Sequence, residues 1–417
     1  MRIGKKLREF DPEVAMAIQQ EERRRKLTIT LIASENFANP IISSQEGSVF
    51  ANKLSEGYIG HRYQAGCDFA DIIENLAIVR AKNLFGAEHA NVQPYSATIA
   101  NLAVYYAALN PGDTVLSMQY SHGGHISHGV SSNIASQLYK FVHYPINTET
   151  GKIDYELVEM LAEKYKPKMI VCGATAYPRT IDFFLFGKIA KKVEATLLAD
   201  MAHIAGLVAA GIHQNPVPYA DFVTTSTHKT FRGPRGGGLI LCKREYAEKI
   251  DKAVSPGLQG APKMDMIAAR AILFKEAMST TYKKYQSQVV RNAKALAAKL
   301  QENGFKLVSD GTDTHLILMD LRDKNITGDE AENDLNSVGI ITNKNVIPND
   351  PRIPNGTSGL RLGTCDCTTR GMKESEMERI ADFITIIIVK QKSEKIFNDI
   401  RKKIGQFAKE FPLFVGQ

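Results

Sequence analysis

The feature that most restricts the fold of this chain is a series of short apolar runs that alternate with helical patterns. Each run is four or five residues long, rich in aliphatic side chains and bounded by turn or helix signals: 168–172, 195–199, 221–225 and 239–242. Runs of this length between helices are typical of buried strands in a mainly parallel sheet that helices cover on both faces. The pattern therefore predicts an α/β fold.

Length and helix signals predict an N-terminal arm and two domains. A chain of 417 residues is long for a single hydrophobic core. Asp11 followed by proline is typical of an N-cap and a first helical position, which predicts a polar helix to about Leu27. A long helix after Met278 precedes further short strands and helices. We predict an arm of residues 1–30, a large domain of residues 31–278 and a smaller α+β C-terminal domain of residues 279–417.

The charge balance does not favour nucleic acid as the main partner. The chain has 52 Lys and Arg against 45 Asp and Glu, and the basic residues are spread along it apart from two short runs, 23–26 and 401–403. Both runs are interpreted as solvated helix faces. A small positive excess would also attract anionic small molecules.

Cysteine content and apolar segments predict a cytoplasmic protein without a membrane span. The five cysteines are an odd number and scattered, which argues against a disulfide framework. Cys365 and Cys367 are too close for the usual zinc spacing, so no metal is predicted. The charged N-terminus has no apolar stretch behind it, and the strongest apolar run, 383–389, is too short to cross a bilayer.

The segment 224–238 carries the most chemical information. A predicted strand ends in hydroxyl residues, which are followed by His228, Lys229 and a glycine-rich turn. Open α/β sheets bind ligands at the carboxyl ends of their strands. An amine at that place can form an imine with an aldehyde cofactor, although a lone lysine there is more often a surface residue.

Two further segments suit the same kind of ligand. Asp200 ends an apolar run and could pair with a pyridinium nitrogen, or it could cap a helix. Ser96 and Thr98 open a predicted helix over 99–108. Hydroxyls and free amides at a helix N-terminus bind phosphate, and simple helix capping is the alternative.

Six segments together resemble the serine hydroxymethyltransferase family. They occur in the family's order and at similar spacing, within a similarity that runs from about residue 31 to residue 414: Leu31-Ile32-Ala33-Ser34-Glu35-Asn36, Ser55-Glu56-Gly57-Tyr58, Ser121-His122-Gly123-Gly124-His125, Asp200-Met201-Ala202-His203, Thr227-His228-Lys229-Thr230 and Asn343-Lys344-Asn345. The resemblance implies a fold-type I pyridoxal-phosphate transferase, whose large domain has a mainly parallel seven-stranded sheet.

The resemblance also implies the cofactor site. Lys229 would hold pyridoxal phosphate, Asp200 would pair with its ring nitrogen, and His125 would stack on its ring. His203 and Thr175 would flank the ring and its phenolic oxygen. The remaining implied contacts of the cofactor are Ser96, Ala97, Thr98, Ser226, His228 and Gly257.

Substrate and folate positions follow from the same resemblance. Arg361 matches an arginine that grips the substrate carboxylate, for which two parallel N–H groups are suited. Glu56 matches an acid/base glutamate near the substrate hydroxyl and the folate, and Tyr63 belongs with the catalytic positions. The other implied substrate contacts are Ser34 and Gln64, and the other implied folate contacts are Tyr120, Gly124, Ile126 and Asn345.

The chain departs from the family pattern around the substrate and the folate. Gln64 stands where the family usually has tyrosine, and Tyr120 and Ile126 stand where it has leucines. Ala97 replaces a glycine of the phosphate loop, and Thr364-Cys365-Asp366 replaces Thr-Pro-Ala. The cofactor chemistry is therefore predicted more firmly than the substrate.

The resemblance implies reversible hydroxymethyl transfer between serine and glycine, with tetrahydrofolate as the one-carbon carrier. The departures leave two alternatives open: an α-substituted serine such as 2-methylserine as the substrate, or aldol cleavage of a 3-hydroxy amino acid without folate. An aminotransferase would not explain Glu56, and a binding protein without catalysis would not require Lys229, Asp200, His125 and Arg361 together. A homodimer with shared active sites is expected.

Overall fold

The computed structural model describes residues 5–353, 355–389 and 393–413. The described chain forms two compact units. The first combines the segment that ends at Glu35 with Gln288–Val346 and the segment that begins at Asp350, and the second consists of Asn36–Ser287 and Ile347–Asn349. Residues 1–4 of the predicted arm, and residues 354, 390–392 and 414–417 of the predicted C-terminal domain, lie outside the described residues. The predicted domain boundaries stay a prediction.

A seven-stranded sheet forms the centre of the second unit. Its strands in chain order are β1 (His89–Asn91), β2 (Thr114–Met118), β3 (Lys140–Tyr144), β4 (Met169–Cys172), β5 (Thr196–Asp200), β6 (Phe222–Ser226) and β7 (Gly238–Cys242). Their order across the sheet is β1-β7-β6-β5-β4-β2-β3. Only β7 runs antiparallel to its neighbours, β1 and β6. The predicted α/β class with a mainly parallel sheet is confirmed.

The strands are apolar because helices and loops bury them. Every residue of β4, β6 and β7 is buried, as expected for strands that are covered on both faces. One side of the sheet packs its aliphatic side chains against Ala100, Ala103 and Val104 of a following helix. The predicted runs differ from the observed strands by about one residue at their ends, a shift that sequence patterns do not resolve.

The helices of the second unit connect these strands. The α-helices are Pro40–Ser43, Asp68–Phe85, Ala97–Ala108, Ala135–Leu138, Tyr155–Tyr165, Phe183–Lys192, Ala205–Ala209, Ala247–Lys252 and Met264–Ala277. Single 3-10 turns are Ser44–Gly47, Val49–Asn52, Tyr120–His122, Ile126–His128 and Arg244–Tyr246, and Ala253–Leu258 is a π-helical segment. Two short antiparallel hairpins pair Gly57–Tyr58 with His61–Arg62 and Ile146–Asn147 with Lys152–Ile153. Helix Thr280–Glu302 contributes residues to both units.

The first unit contains a four-stranded antiparallel sheet. Its strands are β8 (Lys306–Leu307), β9 (Leu316–Asp320), β10 (Asn343–Asn345) and β11 (Gly359–Gly363), in the order β8-β9-β11-β10. Ile29–Thr30 pairs in parallel with Ile340–Ile341. The helices are Lys5–Phe10, Pro12–Leu27, Gly328–Val338, Cys365–Thr369, Glu374–Val389 and Glu394–Glu410, with a 3-10 turn at Val308–Asp310.

Local signals account for the ends of several helices. Asp11 accepts a hydrogen bond from Val14 N at 3.0 Å, as expected for the N-cap of helix Pro12–Leu27. Gly86 ends helix Asp68–Phe85 in the left-handed conformation at a φ of 73°. Among the described helices, none combines the length and apolar composition needed to cross a membrane.

Candidate active site

Three parallel strands bring chemically active residues to one edge of the large sheet. β4, β5 and β6 are neighbours, so their carboxyl ends lie side by side. Gly173 and Thr175 follow β4, Asp200 ends β5, and Lys229 follows β6 by three residues. A Cβ on Gly173 would lie 2.2 Å from the carbonyl oxygen of Asp200, so this close approach requires glycine.

Asp200 is a buried carboxylate with several donors. Its exposed fraction is 7%. Oδ2 accepts a hydrogen bond from Asn101 Nδ2 at 2.8 Å and lies 3.0 Å from His128 Nε2, while Oδ1 accepts one from Ala202 N at 2.9 Å. Burial by itself raises the pKa of the Asp200 carboxyl, but the hydrogen bond and charge of His128, with His125 and Asn101, bring the pKa below its ordinary value. Asp200 is therefore ionised at neutral pH.

Asn101, Ser127 and His128 were not predicted from the sequence. Thr224 Oγ1 donates to Asn101 Oδ1 at 2.5 Å, and this bond turns the amide nitrogen of Asn101 toward Asp200 and Ser127. Ser127 Oγ also lies 2.8 Å from His125 Nδ1. The available signals were weak: an asparagine inside an apolar helix, and a second histidine three residues after His125.

His125, His128 and Asp200 also have the composition of a cation site. One potential ligand atom from each lies within 4.8 Å of the other two. However, His128 Nε2 and Asp200 Oδ2 face each other in a hydrogen bond. The hydrogen bond between His128 and Asp200 accounts for this close approach without an ion.

His203 and Thr175 lie together at the same edge. Thr175 Oγ1 is 3.1 Å from His203 Nε2, and Thr175 N donates to Gly123 O at 2.8 Å, which links this pair to the segment that contains Gly124 and His125. Thr230, next to Lys229, donates through its hydroxyl to His203 O at 2.8 Å. The ends of β4, β5 and β6 are thereby connected.

The residues around Lys229 include two buried polar atoms that need a partner. Lys229 is half-buried, and its carbonyl oxygen accepts from Asn36 Nδ2 at 2.9 Å. Within the described part of the chain, Ser226 Oγ and His228 Nδ1 are buried without a hydrogen bond. Burial, followed by the charges of Lys229 and Arg235, lowers the pKa of His228 to about 4, so its ring is neutral at pH 7. Unpaired buried polar atoms beside an amine favour a bound polar ligand.

The predicted phosphate loop forms the start of helix Ala97–Ala108. Ser96 Oγ accepts a hydrogen bond from Ile99 N at 3.2 Å, so Ser96 acts as the N-cap of this helix. Ala97 and Thr98 are half-buried in the first turn. Gly257 lies in the π-helical segment, and Gln259 Nε2 donates to Gln93 O at 2.8 Å, which ties this segment to the chain before Ser96.

Glu56 and Gln64 flank a hairpin and form hydrogen bonds with each other. Gln64 Nε2 donates to Glu56 Oε2 at 2.6 Å, and Gln64 Oε1 accepts from Glu56 N at 2.8 Å. Tyr63 lies between them in sequence and is 76% exposed. The predicted folate contacts Tyr120 and Ile126 are about half exposed, at 51% and 47%, whereas Gly124 is buried.

Three of the predicted site residues, Arg361, Asn345 and Ser34, belong to the first unit. Arg361 lies on β11, and its Nε donates to Asn343 Oδ1 on β10 at 3.2 Å. Asn343 was quoted in the resemblance without a role. Asn345 Nδ2 donates to Val346 O at 2.6 Å. Ser34 is half-buried.

The fold and the site define a class of enzyme. An amine after one strand, an ionised carboxylate at the end of the neighbouring strand, and unpaired polar atoms beside the amine form a set of groups that suits an aldehyde cofactor with a pyridine nitrogen and a phosphate, as in pyridoxal-phosphate enzymes. Comparison with known families agrees: the model of the family described as serine hydroxymethyltransferase matches residues 7–384. The chain belongs to the serine hydroxymethyltransferase family.

Family membership confirms the predicted enzyme class, its cofactor and its general reaction. The family consists of fold-type I pyridoxal-phosphate transferases that act in hydroxymethyl transfer. The cofactor and the general reaction are therefore those predicted from the sequence. The individual site residues, the amino acid and the one-carbon carrier stay predictions.

Proposed function

We propose that the protein interconverts serine and glycine and uses tetrahydrofolate as the one-carbon carrier. The observation that supports this most directly is the ionised Asp200 at the end of β5, one strand from the segment that carries Lys229. Glu56 and Arg361 supply the acid/base group and the carboxylate-binding group that the reaction needs. Product analysis tests the proposal: serine and 2-methylserine, each with and without tetrahydrofolate, should show folate-dependent formation of glycine from serine.

Each residue has one task in this proposal. When bound, pyridoxal phosphate withdraws electrons from the α-carbon of the amino acid. Lys229 would hold the cofactor through its amine, Asp200 would keep a proton on the ring nitrogen, and His125 would lie against the ring. Glu56 accepts the hydroxyl proton of serine while the bond between the α- and β-carbons breaks, and it returns that proton in the reverse direction. The β-carbon and its oxygen leave at the oxidation level of formaldehyde and pass to tetrahydrofolate, and the α-carbon takes up a proton to give glycine. A preference for 2-methylserine, or cleavage without folate, would replace the proposed substrate or carrier with one of the two alternatives.

Arg361→Lys is expected to weaken binding of the amino acid while the cofactor stays bound. An ammonium cannot reproduce the planar pair of N–H groups that meets a carboxylate, nor the Nε contact to Asn343. The loss should be about 1.5–3 kcal/mol, the range of a hydrogen bond to a charged group. The half-saturating serine concentration and the visible absorbance of the cofactor measure the two effects. An unchanged half-saturating concentration would place the carboxylate elsewhere.

We also propose a homodimer in which the two subunits share their active sites. Helix Asp68–Phe85 exposes Phe69, Ile72, Leu76 and Val79 at helical spacing, a face that a second copy could cover. Mixing inactive Lys229→Ala chains with inactive Glu56→Gln chains should restore activity, because one of the two sites in a mixed dimer then has both residues. Absence of restoration despite demonstrated subunit exchange would place both residues on one chain.

We propose a cytoplasmic location on the basis of the thiols. None of the five cysteines forms a disulfide, and all five are buried, as expected in a reducing compartment. Cell fractionation that recovers the protein outside the cytoplasm would contradict this.

A further inference from the structure

The hairpin between Glu56 and Gln64 brings two side chains into a reciprocal pair. Its strands are Gly57–Tyr58 and His61–Arg62, and Tyr63 N continues the ladder by donating to Glu56 O at 3.1 Å. Gln64 then reaches back across the ladder and makes two bonds to one residue, to the backbone N–H and to the carboxylate of Glu56.

The orientation of the Gln64 amide is determined by its partners. The backbone N–H of Glu56 can only donate, so the amide oxygen must face it, and the NH2 group then faces Glu56 Oε2. A tyrosine at this position would offer a single hydroxyl in place of the two distinct ends of an amide. The amide also does not titrate near neutral pH, so it donates across the whole working range.

The second carboxylate oxygen of Glu56, Oε1, is not used by the pair with Gln64. Among the described residues, Oε1 receives no hydrogen bond. It lies 3.1 Å from the position that a Cβ would take on Gly260, so a side chain at residue 260 would crowd it. Tyr95 is close enough that the Glu56 charge adds to burial in raising the pKa of its phenol. The free oxygen therefore lies near the segment that leads into Ser96.

The hairpin itself is anchored on buried charges. Arg62 Nε donates to Asp71 at 2.8 Å, its Nη1 donates to Gly57 O at 2.7 Å, and its Nη2 pairs with the buried Glu74. Gln93 Nε2 donates to Glu74 at 2.7 Å and to Gly57 O at 3.0 Å. These contacts of Arg62 and Gln93 hold the hairpin backbone between Glu56 and Gln64 in place.

From these contacts we infer that Gln64 is a positioning residue that holds Glu56 in one orientation. Oε2 is occupied by the amide, and Oε1 is the oxygen that exchanges a proton with the substrate hydroxyl. The inference rests on the proposed function for the role of Glu56. It also explains why glutamine can stand at position 64, where the family usually has tyrosine: Gln64 leaves one defined oxygen of Glu56 available to the substrate.

Three substitutions test the inference. Gln64→Leu removes both bonds and is expected to lower kcat about 10–100-fold, the scale of a misplaced catalytic group, while KM for serine changes little. Gln64→Tyr restores a donor and should lose less. Gln64→Glu can donate to Glu56 only when one of the two carboxyls is protonated, and two ionised carboxylates would repel each other. Its kcat relative to wild type should therefore fall as pH rises and recover as pH falls.

The controls separate positioning from a general effect on folding or charge. Gln137, exposed on helix Ala135–Leu138, offers the matched substitution Gln137→Glu, which adds the same charge and should keep the wild-type pH profile. Visible absorbance of bound cofactor reports that each variant is folded. If Gln64→Leu does not fold, the pH profile of Gln64→Glu decides.

Full kcat in folded Gln64→Leu, or a wild-type pH profile in Gln64→Glu, would overturn the inference. Equal losses in the leucine and tyrosine variants would also overturn it, because a donor would then not matter. Failure of the proposed function shows in the wild-type chain, which would then form no glycine from serine in a tetrahydrofolate-dependent way. Failure of the inference shows only in the Gln64 variants, while the wild-type chain keeps that activity.

Discussion

Lys229→Ala is expected to abolish the visible absorbance of lysine-bound cofactor and to lower turnover by at least about 10²-fold, the lower end of what one positioned proton-transfer group contributes. The amine is the only group of the segment between Ser226 and Thr230 that can form an imine with an aldehyde. In the proposed site, its loss removes the attachment of the cofactor and an amine that could transfer protons at the reaction centre. Absorbance spectra and serine cleavage assays measure the two effects.

Two further variants make this result specific. Lys229→Arg keeps the positive charge but should also fail, because a guanidinium is a poor partner for an aldehyde at neutral pH. Lys252 is an exposed lysine that pairs with Glu248, and Lys252→Ala should leave absorbance and turnover unchanged. Normal activity with normal absorbance in Lys229→Ala would remove the central assignment.

Asp200→Asn is expected to lower kcat about 10²–10³-fold, the cost of removing one preorganised electrostatic contact. A neutral amide cannot hold a proton on the ring nitrogen, and it presents an NH2 group to the donors Asn101 and His128. The cofactor should still bind through Lys229, so the loss should lie in kcat more than in cofactor content. Steady-state kinetics at saturating cofactor measure it.

Asp221 provides the matched control for Asp200. It lies just before β6, at the opposite end of the strand, where Oδ2 accepts from Leu197 N at 2.8 Å and Oδ1 pairs with Lys243. Asp221→Asn removes a carboxylate from the same sheet without touching the edge that carries Lys229. Equal losses of activity in both variants would show that the effect of Asp200 is structural.

The sequence predicted the fold from features that depend on local physics. Apolar runs bounded by turns gave the strands, since a strand buried on both faces must be apolar along its length. Asp11 marked the start of a helix because capping geometry restricts the residue types that fit there. Strand ends were displaced by about one residue, because the last hydrogen bonds of a ladder depend on the neighbouring strand.

The contacts within the site were less predictable. Asn101 lies 99 residues before Asp200, and only the packing of helix Ala97–Ala108 against the sheet brings them together. The Glu56–Gln64 bonds depend on the register of a two-residue hairpin ladder, which a sequence does not specify unless one face is buried. Residue types therefore indicated the chemistry, whereas long-range pairing determined which atoms meet.

The antiparallel strand β7 has a consequence for synthesis of the chain on the ribosome. β1 is the edge strand of its sheet and pairs with β7, which lies about 150 residues later in the chain. At about 5–20 residues per second, roughly 7–30 s pass between the emergence of the two strands. During that interval β1 has no ladder partner, and Pro94 O, just before Ser96, lacks its hydrogen bond from Gly238 N. The segment that leads into Ser96, which we predict to bind the phosphate, is therefore completed late in translation, after β5 and β6 have already emerged.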